Sequence, residues 1–196
     1  MPKGPHPKKY LIFDLDETLI RLEIDWSGVY KMLFTAIKNI DSSLISKVPE
    51  SALEFYNLVN MTTSKHGEKA KKKLDQTIAE YEMSHYLRYT PNPSLMSFIR
   101  THKDTYSFSL WTSNAKRTIR DFLQKEQFEQ FFENIITLES VLLTKPNTYG
   151  FSMIYNSNNS KRDYLMIWDS ENDKIMAKNA GIDFFKIDYF TRQQAP

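Results

Sequence analysis

Cysteine is absent from all 196 residues of the chain. That excludes disulfides, thiolate metal sites and a cysteine nucleophile. A long apolar run is missing too: no segment approaches the ~20 apolar residues that a bilayer-spanning helix needs. Nor is there an excess of charge of one sign. The 26 basic and 24 acidic residues leave a formal net charge of +2, which gives no ground for a general nucleic-acid partner. The N-terminal "MPKGPHPKK" is basic and proline-rich but lacks the apolar stretch of a secretory signal. Residues 1–9 are expected to form a loose tail. Internal repeats and low-complexity tracts are likewise missing. What remains is a globular composition, 41% apolar with 14% aromatics, of a size suited to one domain with a sizeable insertion. The expectation is a soluble, cytoplasmic protein, monomer or homodimer, with neither a membrane nor a nucleic acid as partner.

The most informative stretch is "KKYLIFDLDETLI", residues 8–20. Tyr10 to Phe13 reads as a short buried strand, and Asp14 and Asp16 stand at or just beyond its C-terminal end. A period of two places both carboxylates on one side. Two unpaired carboxylates repel each other, so the pair suits a cation held between them. Ordinary helix capping at the end of a strand is the other reading, and the stretch alone does not separate the two.

Further short apolar runs follow at 106–111, 164–168 and 184–187, with a weaker one at 134–138. Helical patterns lie between them. "PSLMSFIRTH" puts Leu95, Phe98 and Ile99 on one face, with Pro93 in its first turn. "AKRTIRDFLQKE" does the same with Ile119, Phe122 and Leu123. "PNTYGFSMIYN" and "ENDKIMAKNAG" complete the set, the last with Gly181 as a C-cap. Strands alternating with helices imply an α/β fold with a parallel sheet and helices on both faces. Residues 21–88 break the alternation and read as helical almost throughout. The chain therefore divides into a core, 1–20 and 89–196, and a helical insertion, 21–88. Within the insertion, "KAKKK" at 69–73 reads as a solvated helix face. Tyr30, Tyr56, His66 and Tyr86 read as packing or surface, and no residue of the insertion is assigned to a site.

In parallel α/β sheets ligands bind beyond the carboxyl ends of the strands. Thr112, Ser113 and Asn114 follow one strand and precede a helix, where N–H groups and the helix dipole favour an anion such as phosphate. Asp169, Ser170 and Asp173 follow another, and Lys145 precedes Pro146 at the start of a further helix. Capping chemistry accounts for each of these alone. Together they bring carboxylates, hydroxyls and one cation to a single sheet edge. Carboxylate oxygens suit Mg²⁺, commonly held by one or two carboxylates plus substrate phosphate oxygens. Lys145 and the 112–114 loop suit the remaining phosphate charge.

These stretches resemble the four motifs of the haloacid dehalogenase superfamily of phosphohydrolases, with the helical cap of its phosphoglycolate-phosphatase-like members. "LIFDLDETL" matches the first motif, "FSLWTSN" the second, "KPNTYGF" the third and "LMIWDSENDKIMAKNAG" the fourth, in the family's order and over nearly the whole chain. The resemblance implies a Rossmann-like three-layer core with a cap inserted after the first strand. It implies an aspartyl-phosphate mechanism on a small phosphorylated metabolite. Asp14 would be the nucleophile and Asp16 the general acid and base. Thr112 and Lys145 would contact the phosphoryl group with Ser113 and Asn114, and Mg²⁺ would sit on Asp14, Asp16 through its backbone carbonyl, Asp169 and Asp173. The presence of Asp16 favours phosphoryl transfer over dehalogenation. Two positions depart from the pattern: Glu17 replaces a frequent glycine, and so does Trp168, expected to pack beneath a helix and point away from Asp169. A phosphomutase of the same fold, a protein phosphatase with the same first motif and a non-catalytic binding protein are the alternatives. The long insertion argues against the protein phosphatase, and the intact carboxylates against the binding protein.

Overall fold

Apolar side chains alternate between two clusters along the central strand, and that alternation builds the layers. The computed structural model describes residues 6–49 and 51–192. In its first half, β1 (Tyr10–Phe13) and β2 (Ile20–Leu22) lead into α1 (Trp26–Ile40), α2 (Ala52–His85) and β3 (Tyr89–Pro91). Then come α3 (Pro93–Thr101), β4 (Ser107–Trp111), α4 (Lys116–Lys125), β5 (Asn134–Ile136) and α5 (Tyr149–Ile154). The chain continues through β6 (Tyr164–Trp168), α6 (Glu171–Ala180), β7 (Asp183–Lys186) and α7 (Tyr189–Arg192). Five strands form one sheet in the order β5-β4-β1-β6-β7, and all four pairings are parallel. Leu11 and Phe13 face a cluster with Met96 and Ile99 of α3 and Ile119 and Phe122 of α4. Ile12 faces the opposite way, into a cluster with Phe151 of α5 and Met176 and Ala177 of α6. This is the α/β Rossmann-like architecture expected from the alternating runs.

The insertion between β2 and β3 is a helical pair. Val29, Leu33, Ala36 and Ile37 of α1 share a cluster with Leu58, Val59, Leu74 and Ile78 of α2, at the spacing of one helix face. The two helices approach closely at Gly28, where an added Cβ would fall 1.6 Å from the Tyr81 hydroxyl. Only glycine leaves that room. Inside α2, Gly67 takes φ 74° and divides it into two helical stretches.

Four expectations need correction. The region 21–88 is not helical throughout, because β2 and β3 form an antiparallel two-stranded ladder at its base, Ile20 opposite Pro91 and Leu22 opposite Tyr89. The expected boundary after residue 20 thus cuts through β2. The "KAKKK" run is not wholly solvated: Lys71 is buried, its ammonium on both oxygens of Asp75 at 2.6 and 2.5 Å and on the Leu138 carbonyl at 3.0 Å. Residues 6–9 are tied down, His6 to Asp163 at 2.6 Å and the Lys9 N–H to the Asp163 carbonyl at 2.9 Å; residues 1–5 of the expected tail lie outside the described residues. The helix expected from Pro146 starts only at Tyr149. Among the described residues no helix is long and apolar enough to cross a membrane.

Candidate active site

The C-terminal ends of β1, β4 and β6 lie side by side in the sheet, so Asp14, Thr112 and Asp169 leave it along one edge. The ladder carries Asp14 into place, its N–H donating to the Ile167 carbonyl at 2.9 Å. The center of the site is Lys145, 3% exposed. Its ammonium donates to Asp14 Oδ1 and Asp173 Oδ1, both at 2.6 Å, and to the Trp111 carbonyl at 3.0 Å. The other oxygen of Asp173 accepts from Ser170, and the Thr18 hydroxyl lies 3.4 Å from Asp169 Oδ1. All the residues singled out at the strand ends border one cavity of about 270 Å³, Ser113 and Asn114 included.

The electrostatics are those of crowded acids. Burial pushes the Asp14 carboxyl up, Lys145 opposes that, and Asp173 adds to it. Asp169 is also raised, by burial and then by repulsion from Asp14 and Asp173. Burial works against the charge of Lys145, but the two aspartates outweigh it and hold the ammonium protonated. Asp14, Asp169 and Asp173 present carboxylate oxygens that all lie within 4.8 Å of one another. Hard oxygen donors in that number, with their charge only partly offset by one lysine, fit a divalent cation. The Asp16 carboxylate borders the same cavity while its Oδ1 accepts the Leu22 N–H at 2.6 Å, and burial raises it well above the usual range.

Trp168 packs as expected: it is buried in the cluster that contains Met176 and Ala177 of α6. Glu17 has φ 59°, a conformation that favours glycine, and its carboxylate takes two hydrogen bonds from Arg21, at 2.7 and 3.0 Å. Two side chains of the insertion, Tyr30 and Tyr56, do border the cavity, against the expectation of packing or surface roles alone. His66 instead bonds Asp41 at 2.8 Å and Tyr86 donates to Asp121 at 3.1 Å.

The loop before α4 differs from the expected anion-binding helix terminus. The Ala115 N–H donates to Glu82 at 3.0 Å, and the Lys116 N–H to both oxygens of Glu139 at 3.2 and 3.0 Å. Carboxylates of the chain therefore occupy the positive end of that helix. Asn114 is committed as well, its Oδ1 accepting from Thr112 at 2.6 Å and its Nδ2 donating to Glu82 at 3.3 Å. Glu82, on α2, is fully buried and also accepts from the Thr118 hydroxyl at 2.6 Å. It ties the insertion to the loop beside the cavity, and the sequence reading missed it. The available signal was a helix whose N-cap is Ala115, a residue with no side-chain acceptor.

Burial pushes Glu82 from its ordinary 4.5 up to about 7, against the pull of Thr118, Ala115 and Asn114. The folded state then holds a proton that the unfolded chain has released, so stability falls as pH rises between these values and levels off above them. Glu82→Gln should remove a loss of about 3 kcal/mol across that window. Urea denaturation of wild type and variant at pH 5 and pH 8 measures it. Parallel pH dependences would refute the assignment.

Over 89 residues the chain aligns at 27% identity with "Phosphoglycolate phosphatase" of Vibrio vulnificus (strain YJ016), covering 45% of this chain and 39% of that protein. "Pyrophosphatase PpaX" of Halalkalibacterium halodurans aligns at 21% identity over 126 residues, 61% of this chain and 59% of that one. The matches thus span roughly two-fifths to three-fifths of those curated relatives. A solved haloacid dehalogenase-like hydrolase from Bacteroides fragilis shares the fold, with a TM-score of 0.58 at 18% identity over 90% of this chain and 86% of the other. Residues 11–187, which contain every strand end described above, match the family described as haloacid dehalogenase-like hydrolase, and the chain belongs to that family.

Proposed function

We propose that the chain is a Mg²⁺-dependent phosphatase acting on a small phosphorylated metabolite, with residues 21–88 as a cap over the core 1–20 and 89–196. The observation that carries this reading is Lys145, held at 2.6 Å from both Asp14 and Asp173 on the wall of a cavity that Asp16, Thr112 and Asp169 also border. The names of the phosphoglycolate phosphatase and pyrophosphatase relatives agree with it.

Asp14 Oδ attacks phosphorus, and the bond from phosphorus to the ester oxygen breaks with its electron pair going to that oxygen. Asp16 donates the proton that the departing alkoxide takes up; burial raises its carboxyl and so favours the protonated form. Water then attacks phosphorus of the aspartyl-phosphate and yields its proton to Asp16, releasing inorganic phosphate and restoring the Asp14 carboxylate. Lys145 and Thr112 bind the phosphoryl oxygens, with Ser113 alongside, and the aromatic side chains of the insertion limit water. Asp14, Asp169 and Asp173, with the Asp16 carbonyl as the resemblance implies, would hold Mg²⁺, which would supply the positive charge that lets an anionic nucleophile meet an anionic phosphate.

The test is phosphate release from p-nitrophenyl phosphate with Mg²⁺ and with EDTA. Turnover is expected only with the metal. Mg²⁺ at 100 times its dissociation constant should also stabilise the protein by about 2.7 kcal/mol, read as a rise in Tm. Metal-independent turnover, or no thermal shift, would count against the metal assignment.

A further inference from the structure

Five acidic side chains border the cavity, Asp14, Asp16, Glu17, Asp169 and Asp173, against one cation, Lys145. That cation is already between Asp14 and Asp173. The insertion contributes Trp26, Tyr30, Ala52 and Tyr56, none of them charged. We infer, resting on the phosphatase reading, that the substrate is a phosphate monoester of an uncharged, hydroxyl-bearing alcohol, and that esters carrying a second anionic group are rejected.

Three features of the wall support this class. Glu17 is already paired with Arg21, and Lys145 and the Mg²⁺ of the phosphatase reading are taken up by the aspartates and the reacting phosphoryl group. A second carboxylate or phosphate would therefore meet acids with no further cation on the wall, and an unpaired anion in a partly buried site is strongly disfavoured. Tyr30 is held in place by stacking on Phe55, ring centroids 4.6 Å apart. Its hydroxyl and that of Tyr56 have no hydrogen-bond partner among the described residues, which leaves them to meet hydroxyls of a ligand. Asn172, also on the wall and 8% exposed, has a buried Oδ1 with no donor. A buried acceptor without a donor calls for one from outside the chain. Aromatic faces with a few polar groups are a usual wall for an uncharged polyol. The volume of about 270 Å³ lies just under the ~300–1,000 Å³ of pockets that hold drug-sized ligands, which limits the alcohol to about the size of a single sugar.

The experiment compares kcat/KM for glucose 6-phosphate, glycerol 1-phosphate, phosphoglycolate and pyrophosphate, with p-nitrophenyl phosphate as the control for chemistry. The uncharged esters should exceed phosphoglycolate and pyrophosphate by ~100-fold or more, since the missing partner is a buried charge. Ala52→Arg places a cation on the wall and should raise phosphoglycolate relative to glucose 6-phosphate by about tenfold. Phosphoglycolate or pyrophosphate used as well as the uncharged esters would overturn the inference while leaving the phosphatase reading intact. An unchanged ratio in Ala52→Arg would also overturn it, because the preference would then not come from the charge of the wall. Phosphate release from none of the five compounds would overturn the phosphatase reading, and the inference with it.

Discussion

Asp14→Asn should lower metal-dependent phosphate release by ~10⁴-fold or more, a loss of the size seen when a nucleophile is removed from a concerted site. The substitution keeps the shape of the side chain, and the amide oxygen still accepts a hydrogen bond. Lys145 retains its second anchor on Asp173 at 2.6 Å, so the loop that carries it has no reason to move. Asp14 is 7% exposed in a cluster of acids, and its carboxyl is already pushed up by burial. Replacing it with a neutral group relieves repulsion, and the variant should fold at least as well as wild type. That separates chemistry from folding: circular dichroism and Tm report the second, phosphate release the first. Phosphomonoester hydrolysis without a catalyst is so slow that accelerations reach roughly 10²¹, so residual turnover has little background to hide in. Turnover that survives Asp14→Asn would sink the nucleophile assignment. A phosphomutase would also lose its turnover with Asp14→Asn, but its wild type would release little phosphate, since it returns the phosphoryl group to a sugar.

The sequence carried the sheet edge well, and the reason is local. Short, mostly apolar strands running into Asp14, Thr112 and Asp169 announce themselves by composition, and parallel alternation with helices puts those ends on one edge of the sheet. Three-residue strands do not: Ile20–Leu22 and Tyr89–Pro91 are too short for any period to register, and they pair across the whole length of the helical insertion. Glu82 is illegible for a different cause. In "DQTIAEYEMSHYL" it is one acid among several on a helix, and its burial depends on α4, a segment more than thirty residues away whose own N-cap is an alanine. Tyr30 sits next to Val29 on a helix with a buried face, so periodicity alone assigns it to packing; only the position of the insertion over the strand ends exposes its hydroxyl to the cavity. Lys71 within "KAKKK" misleads in the same way, because an exposed run of lysines and a buried i,i+4 pair with Asp75 share one spelling.

Lys145→Met should destabilise the metal-free protein by about 3–5 kcal/mol at pH 8, the range for removing one partner of a buried ion pair. Lys145 faces two carboxylates at 7% and 1% exposure, and methionine leaves both with no cation while filling most of the volume of the lysine stem. For a chain of this length the loss corresponds to roughly 10 °C in Tm. The sign of its pH dependence is the informative part. Without Lys145 the carboxyl of Asp14 rises further, because burial and Asp173 both push it up and the one opposing charge is gone. A folded-state value raised above the unfolded one means that the folded form takes up protons as pH falls, and stability is recovered toward acid pH. The gap between wild type and variant should therefore be widest at pH 8 and close as the pH approaches 4–5. Mg²⁺ added at pH 8 should recover part of it, since the same carboxylates would then face a cation again. Urea denaturation across that range, with and without Mg²⁺, reads all of these. A deficit that stays constant from pH 4 to pH 8 would assign the loss to packing against Trp111, whose ring centroid lies 5.8 Å from the ammonium. Lys145 would then be a structural strut, and phosphate binding would have to be reassigned to the loop at Thr112.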